Sequence, residues 1–252
     1  MRIYLTGRVA VETPEAVVDE AALPGRQGRL LLAYLVLSGT SSVSRDEIAD
    51  VLWADAPPPA WSNGLNALVS KLRATLRQLA GDGVQLEHSF GCYQLRLPAD
   101  VWVDVTAARD AIHRAEALLA QDADGAAVEA WGWTYVGYHV TRRPFLPGEN
   151  GPWVEARRAE LALLRLRALD CAIAVNTASG DVAEALRAGN DALAVDPLRE
   201  STYQQLMRCL FAAGSRAEAL RVYERCRATL GEMLGVDPSP LTESVYLEIL
   251  RS

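Results

Sequence analysis

Lysine is almost absent from this chain: Lys71 stands alone against 24 arginines in 252 residues. No apolar run reaches the ~18 residues that a membrane-spanning helix needs. The opening MRIYLTGRVAVE has no basic run leading into an apolar stretch, so neither a signal peptide nor a membrane partner is expected. The four cysteines, Cys92, Cys171, Cys209 and Cys226, contain no CxxC pair and read as small buried thiols of a reduced, cytoplasmic protein. The three histidines, His88, His113 and His139, are too far apart for zinc-ligand spacing, so no metal site is expected. GxxxxGK[ST], GxSxG and GxGxxG are all missing, which removes the usual nucleotide, hydrolase and dinucleotide signatures. No enzyme, no catalytic residue and no cofactor is expected.

Anions, by contrast, are plentiful. The net charge is −7, from 25 basic and 32 acidic groups. Residues 1–100 carry 9 basic and 11 acidic groups, and residues 101–252 carry 16 and 21. That balance argues against indiscriminate binding to polyanions, yet a single face can still be basic. One window breaks the pattern. No Asp or Glu occurs between Asp55 and Asp82, and AWSNGLNALVSKLRATLRQLAG at 60–81 holds the only lysine.

Around that window the chain reads as small strands and helices. Arg2 to Thr6, Val9 to Val11 and Val17–Val18 are short apolar runs with strand character. LLLAYLVL, apolar all round, predicts a buried helix over 26–37. Ser44 followed by Glu47 is a capping box, starting a short helix that ends near Trp53 before Pro57-Pro-Pro59. Beyond the window, Val84 to His88 and Cys92 to Leu97 flank Ser89-Phe-Gly91 as a hairpin. Three helices followed by a hairpin is the order of a winged helix-turn-helix, whose third helix enters a DNA groove.

Wound at about 100° per residue, Ser62 to Leu79 put Leu65, Leu68, Val69, Leu72, Leu76 and Leu79 on one face, as in a helix docked on a core. Ser62 or Asn63 is placed to cap it. The far face carries Asn63, Asn66, Ser70 and Arg77, flanked by Lys71 and Arg73. An ordinary solvated face mixes signs; this one has three cations and no anion. Asn and Arg can pair with base edges, and Lys and Arg with phosphate, which makes these six the candidate DNA contacts. Gly64 weakens the first turn by about 1 kcal/mol relative to Ala.

Past a polar join at Pro98 to Asp104 the periodicity is helical throughout, so the division falls between 1–100 and 101–252. The fold class is mainly α, with an N-terminal winged helix-turn-helix bearing small β-sheets and a C-terminal tetratricopeptide-like all-α domain. GAAVEAW at 125–131, GDVAEAL at 180–186 and GSRAEAL at 214–220 repeat one pattern, the last two at a spacing of 34, the tetratricopeptide period. WGWTYVGYHVTRR at 131–143 is dense in aromatics. Two readings of it stand. The plainer is a helix-pair core in which Trp131 is buried; the sharper is a pocket where Trp133, Tyr138, His139, Arg142 and Arg143 hold a planar anionic small-molecule effector.

The chain resembles the Streptomyces antibiotic regulatory protein family of transcriptional activators over nearly its whole length. The resemblance rests on GRLLLA at 28–33, IADVLW at 48–53 followed by Pro57 to Pro59, NALVSKLR at 66–73 and GCYQL at 91–95. In the second half it rests on DPLRE at 196–200 with Met207, and on LGVDPSP at 234–240, which look like a bacterial transcriptional activator domain. It implies a regulator that binds short direct repeats in double-stranded DNA near promoters and recruits RNA polymerase, with a homodimer left open. The alternative is a helical-repeat protein-interaction or ligand-sensing protein whose winged helix binds DNA weakly or not at all.

Overall fold

The computed structural model describes residues 1–54, 56–121, 123 and 125–252. They form two compact units: residues 1–107 with 143–161, and residues 108–142 with 162–252.

In the first unit, β1 (Arg2–Tyr4), β2 (Ala10–Glu12), β3 (Val17–Val18) and β7 (Trp102–Val103) make a sheet in the order β3-β2-β1-β7. β1 runs antiparallel to β2, with Ile3 opposite Val11, and parallel to β7, with Ile3 opposite Val103. The second sheet has the order β4-β6-β5, from β4 (Val43–Ser44), β5 (Gln85–Ser89) and β6 (Cys92–Arg96). Helix α1 (Gly25–Leu37) buries Leu30, Leu31, Leu32, Ala33, Leu35 and Val36, as its all-apolar sequence requires. Helices α2 (Arg45–Trp53) and α3 (Trp61–Ala80) pack around it. This is the winged-helix order expected from the sequence.

Residues 98–104 are not a free linker. β7 lies in the first sheet, and Asp104, 1% exposed, accepts hydrogen bonds from the N–H of Leu5 (2.9 Å), the N–H and hydroxyl of Thr6 (both 2.8 Å) and the N–H of Val105 (2.8 Å). These bonds also explain why β1 stops at Tyr4 rather than Thr6: the next two N–H groups turn to a carboxylate. Burial raises the Asp104 pKa above the usual carboxylate range, against the pull of its four donors. Segment 143–161 belongs to the same unit, where a division by position along the chain separates it. Phe145, Leu146 and Val154 join its core, and fully buried Glu149 accepts from Arg26 Nε (2.8 Å) and Arg29 Nε (2.8 Å) of α1. Arg158 ties the loop from below, donating to the carbonyls of Phe145, Leu146 and Glu149.

The second unit holds most of α4 (Asp104–Leu119), then α5 (Ala126–Thr141), most of α6 (Pro152–Ser179), α7 (Val182–Val195), α8 (Glu200–Ala212), α9 (Arg216–Leu234) and α10 (Pro240–Arg251). The three repeats open α5, α7 and α9. Each leading glycine takes a positive φ: 87° at Gly125, 77° at Gly180 and 78° at Gly214. Five residues on, Ala130, Ala185 and Ala219 are each 0% exposed. The repeat therefore encodes a left-handed turn and then a small residue at a close helix contact.

That small-residue rule overturns the expectation of a buried Trp131. The buried residues of α5 are Ala130, Thr134, Gly137, Val140 and Thr141, while Trp131 is 52% exposed and its ring sits 4.6 Å from that of Tyr135. A Cβ on Gly137 would lie 2.3 Å from Ile112 of α4, so the two helices approach too closely for a large ring at that face, and Trp131 and Trp133 are exposed while Tyr135 and Tyr138 are only half-buried.

The DPLRE segment at 196–200 and the LGVDPSP segment at 234–240 meet in this unit. Glu200, at the start of α8, accepts from the N–H and hydroxyl of Ser239 (both 2.8 Å), the residue that caps α10. Arg199 pairs with Asp170 of α6 at 2.6 Å. Burial works to raise the Glu200 pKa, but the hydrogen bonds from Thr242 and Ser239 outweigh it and hold the carboxyl below its usual value.

Gly137→Ala is expected to cost about 1–3 kcal/mol through overpacking. Trp131→Ala should cost only about 1 kcal/mol, the scale of an exposed aromatic pair rather than a buried ring. Chemical denaturation of both variants checks the order; a larger loss for the Trp131 variant contradicts the packing described. Because the folded pKa of Glu200 is depressed, its contribution is complete above the unfolded value, about 4.3, and is lost as pH falls through the folded one. The stability gap between the parent and Glu200→Gln should therefore narrow between pH 6 and pH 3. A gap that stays constant or widens contradicts it.

Candidate nucleic-acid interface

The helix-turn-helix begins at a well-made cap. The Ser44 hydroxyl accepts the Glu47 N–H (3.2 Å), and the Glu47 carboxylate accepts the Ser44 N–H (2.7 Å), completing the capping box expected from the sequence. That bond to the Ser44 backbone, then the one to its hydroxyl, lowers the Glu47 pKa. Helix α3 buries Leu65, Leu68, Val69, Leu72, Leu76 and Leu79, the six residues its periodicity assigns to the core. With that face sealed, Asn63, Asn66, Ser70, Lys71 and Arg77 are all exposed.

Arg73 differs. It is half-buried, and its Nε (3.1 Å) and Nη2 (2.8 Å) both donate to the carbonyl of Leu86 in β5. Its guanidinium fastens the helix to the hairpin. Ser62 and Asn63 do not cap the helix as expected: Ala60 is the N-cap and makes no side-chain bond. The helix starts one residue earlier, at Trp61, which moves Ser62 inside it.

Arg45, to which no sequence motif points, organises the start of α3. Its Nη2 donates to the hydroxyl (2.6 Å) and carbonyl (3.2 Å) of Ser62, and its Nη1 to Asn66 Oδ1 (2.9 Å) and the Tyr93 hydroxyl (3.3 Å). Trp61 lies beneath it, 5.9 Å from ring centroid to guanidinium carbon. The only hint in the sequence was an arginine directly after the capping serine. Asn66 is thus presented with its amide oxygen oriented by Arg45.

The hairpin pairs five residues on each side, from Gln85 opposite Arg96 to Ser89 opposite Cys92. Glu87 and Arg96 form an ion pair across it at 2.9 Å. At its tip Phe90 and Gly91 take φ values of 49° and 76°.

Among the residues of the aromatic stretch, Trp133 lies on a different side of the helix from Tyr138 and Arg142. Arg143 belongs to the first unit, and Trp133, Tyr138, His139 and Arg142 to the second. Trp133 lies under Arg114, 4.6 Å from centroid to guanidinium carbon, whereas Tyr138 donates to Asp191 at 3.2 Å. Burial, then the nearby Asp191 charge, raises the Tyr138 pKa. His139 lies 5.3 Å from the Tyr138 ring, and Arg142 is exposed. Helical geometry explains the split, since Trp133 is roughly 140–180° around the helix from Tyr138 and Arg142. A cavity of about 240 Å³ in the second unit is lined instead by Ala127, Val128, Trp131, Val175, Ala178 and Ser179. Among the described residues no three His, Cys, Asp or Glu side chains cluster to hold a metal, and no helix is long and apolar enough to cross a membrane.

Comparison with known proteins matches these observations. A family model described as the bacterial transcriptional activator domain matches residues 103–250. The regulatory protein AfsR of Streptomyces coelicolor is 31% identical over 233 residues, covering 90% of this chain and 22% of AfsR. The transcriptional regulator RedD of the same organism is 29% identical over 254 residues, covering 99% of this chain and 70% of RedD. This chain thus spans about a fifth of the length of AfsR. Among solved structures, Mycobacterium tuberculosis EmbR in complex with a low-affinity phosphopeptide superimposes with a TM-score of 0.85 at 23% identity, covering 99% of this chain and 65% of that one, a likeness of fold. The chain belongs to the family of the bacterial transcriptional activator domain, and with it to the Streptomyces antibiotic regulatory proteins.

Proposed function

We propose that this chain is a DNA-binding transcriptional activator, which engages direct repeats near promoters through its winged helix and recruits RNA polymerase through its helical unit. The DNA-binding role is assigned to residues 1–100 and the activator role to residues 101–252, with segment 143–161 completing the fold of the first unit. Paired repeats place two copies side by side on the DNA. The observation that carries the reading is the outward face of α3. It is polar and cationic, it comes from a stretch without a single Asp or Glu between 56 and 81, and it is backed by six buried apolar residues.

Each residue takes the role its surroundings allow. Lys71 and Arg77, exposed on long stems, pair with phosphates. Asn63 and Ser70 face base edges, and Asn66 does so with Arg45 beside it. Arg73 positions the hairpin against the helix through Leu86 and meets DNA only secondarily.

The test is fluorescence anisotropy on labelled promoter fragments from the gene's own neighbourhood, titrated across salt. Lys71→Ala should weaken binding to all sequences and lower the salt slope by about one. Arg73→Ala should instead lower stability by about 1–2 kcal/mol, because the Leu86 carbonyl loses two donors. Binding no tighter than to random DNA, or a slope that Lys71→Ala leaves unchanged, overturns the assignment of α3.

A further inference from the structure

Helices α5 and α6 leave a gap at one end. Val128, Trp131 and Tyr135 follow the i, i+3, i+7 spacing of a single helix face, a stripe that ordinarily enters a core. At Tyr135 it does, packing against the cluster that holds Cys171 and Val175 of α6. Toward the start of α5 the stripe stands in the open, with Trp131 52% and Val128 80% exposed. The last turn of α6 explains the gap. After Val175 it offers Ala178 and Ser179, side chains too short to fill the space beside an indole ring. The result is a cleft of about 240 Å³.

The walls of the cleft are set without a ligand. The Trp131 ring lies 4.6 Å from that of Tyr135. Tyr135 is held in turn by Asn176, 3% exposed, whose Nδ2 donates to the Tyr135 hydroxyl (3.2 Å) and to the Ala172 carbonyl (2.7 Å). A wall fixed in this way loses little freedom on binding. Among the described residues of the lining none is charged, and Ser179 supplies the one hydroxyl. Its proton already goes to the Asn176 carbonyl (3.1 Å), so toward a ligand the oxygen can only accept. An ionised ligand meets no countercharge in this lining and gives up its hydration uncompensated. Size is bounded as well. An apolar cavity of about 150 Å³ takes benzene, so this one leaves room for a second fused ring and little more.

We propose that this cleft binds a small neutral aromatic molecule of one or two rings, packed on Trp131 and carrying one N–H or O–H that donates to Ser179. The site lies wholly within the second unit and is independent of how α3 meets DNA. It differs in place and in charge from the anionic pocket that the sequence suggests around Tyr138 and Arg142. A molecule seated there joins the start of α5 to the end of α6. It stabilises the helical unit by mass action, which makes that unit responsive to ligand concentration.

Indole is the probe, with benzothiophene as the ring pair that lacks a donor and indole-5-carboxylate as the charged analogue. In the full chain with labelled valine methyls, NMR titration of indole should shift the Val128 and Val175 signals saturably, and indole should raise the melting temperature. Indole-5-carboxylate should bind at least about tenfold more weakly. Ala178→Trp, a change at an exposed position, should fill the cleft and abolish the shifts while the chain still melts cooperatively. Ser179→Ala should weaken indole about fivefold, the scale of one hydrogen bond, and leave benzothiophene unchanged. The proposal is overturned if indole gives no saturable shift up to its solubility, if Ala178→Trp binds indole as the parent does, or if Ser179→Ala weakens both probes alike. It is overturned too if sedimentation shows the parent self-associating and Ala178→Trp monomeric, since a second copy then covers the cleft.

Discussion

Six apolar side chains on one face of α3 constrain everything this protein shows to a partner. Leu65, Leu68, Val69, Leu72, Leu76 and Leu79 are all buried in the core that α1 provides. At about 25 cal/mol per Å² of apolar surface removed from water, rotating that face outward is prohibitive. The opposite face is consequently fixed, and it is the one that lacks acids. Arg73 and Arg45 finish the job at the two ends, one holding the hairpin to the helix and the other holding Ser62 and Asn66. Presentation of the polar face is thus a consequence of packing, and its chemistry is free to vary without loss of the fold.

Two buried carboxylates do for the first unit what apolar packing does for α3. Asp104 gathers backbone N–H groups that the end of β1 would otherwise leave unpaired, and Glu149 pairs with two arginines of α1. Each links segments about a hundred residues apart in sequence, and each satisfies its own oxygens with several donors, the condition under which burying a carboxylate is tolerable. Through them the winged helix draws on segments 102–107 and 143–161, beyond the span its motif occupies.

Much of this was legible in the sequence. The period of α3 named its buried residues, the Ser44–Glu47 spacing named a cap, and the Gly-x-x-x-Glu-Ala pattern named the starts of α5, α7 and α9. These are local signals, carried by spacing alone. What escaped was long-range or steric. Nothing near Glu149 in sequence points to Arg26, and nothing near Arg45 points to Asn66. Trp131 looked like core because aromatics usually are. Only the approach of α4 to Gly137 shows that this contact admits a small residue, while Trp131 is exposed. The candidate ligand residues of that stretch were grouped by nearness in sequence, which on a helix scatters residues around the axis. The α3 residues were grouped by angle, and five of the six, Asn63, Asn66, Ser70, Lys71 and Arg77, are exposed, while Arg73 turns to Leu86.

The central claim is that α3 presents its polar face to DNA. A photo-crosslinking amino acid at Ser70, in the middle of that face, tests it most directly, with one at exposed Arg187 on α7 as the control. With the full chain bound to a promoter fragment, irradiation should join position 70 to the DNA and leave position 187 free. A complex that forms at full affinity yet gives no crosslink from position 70 contradicts the account.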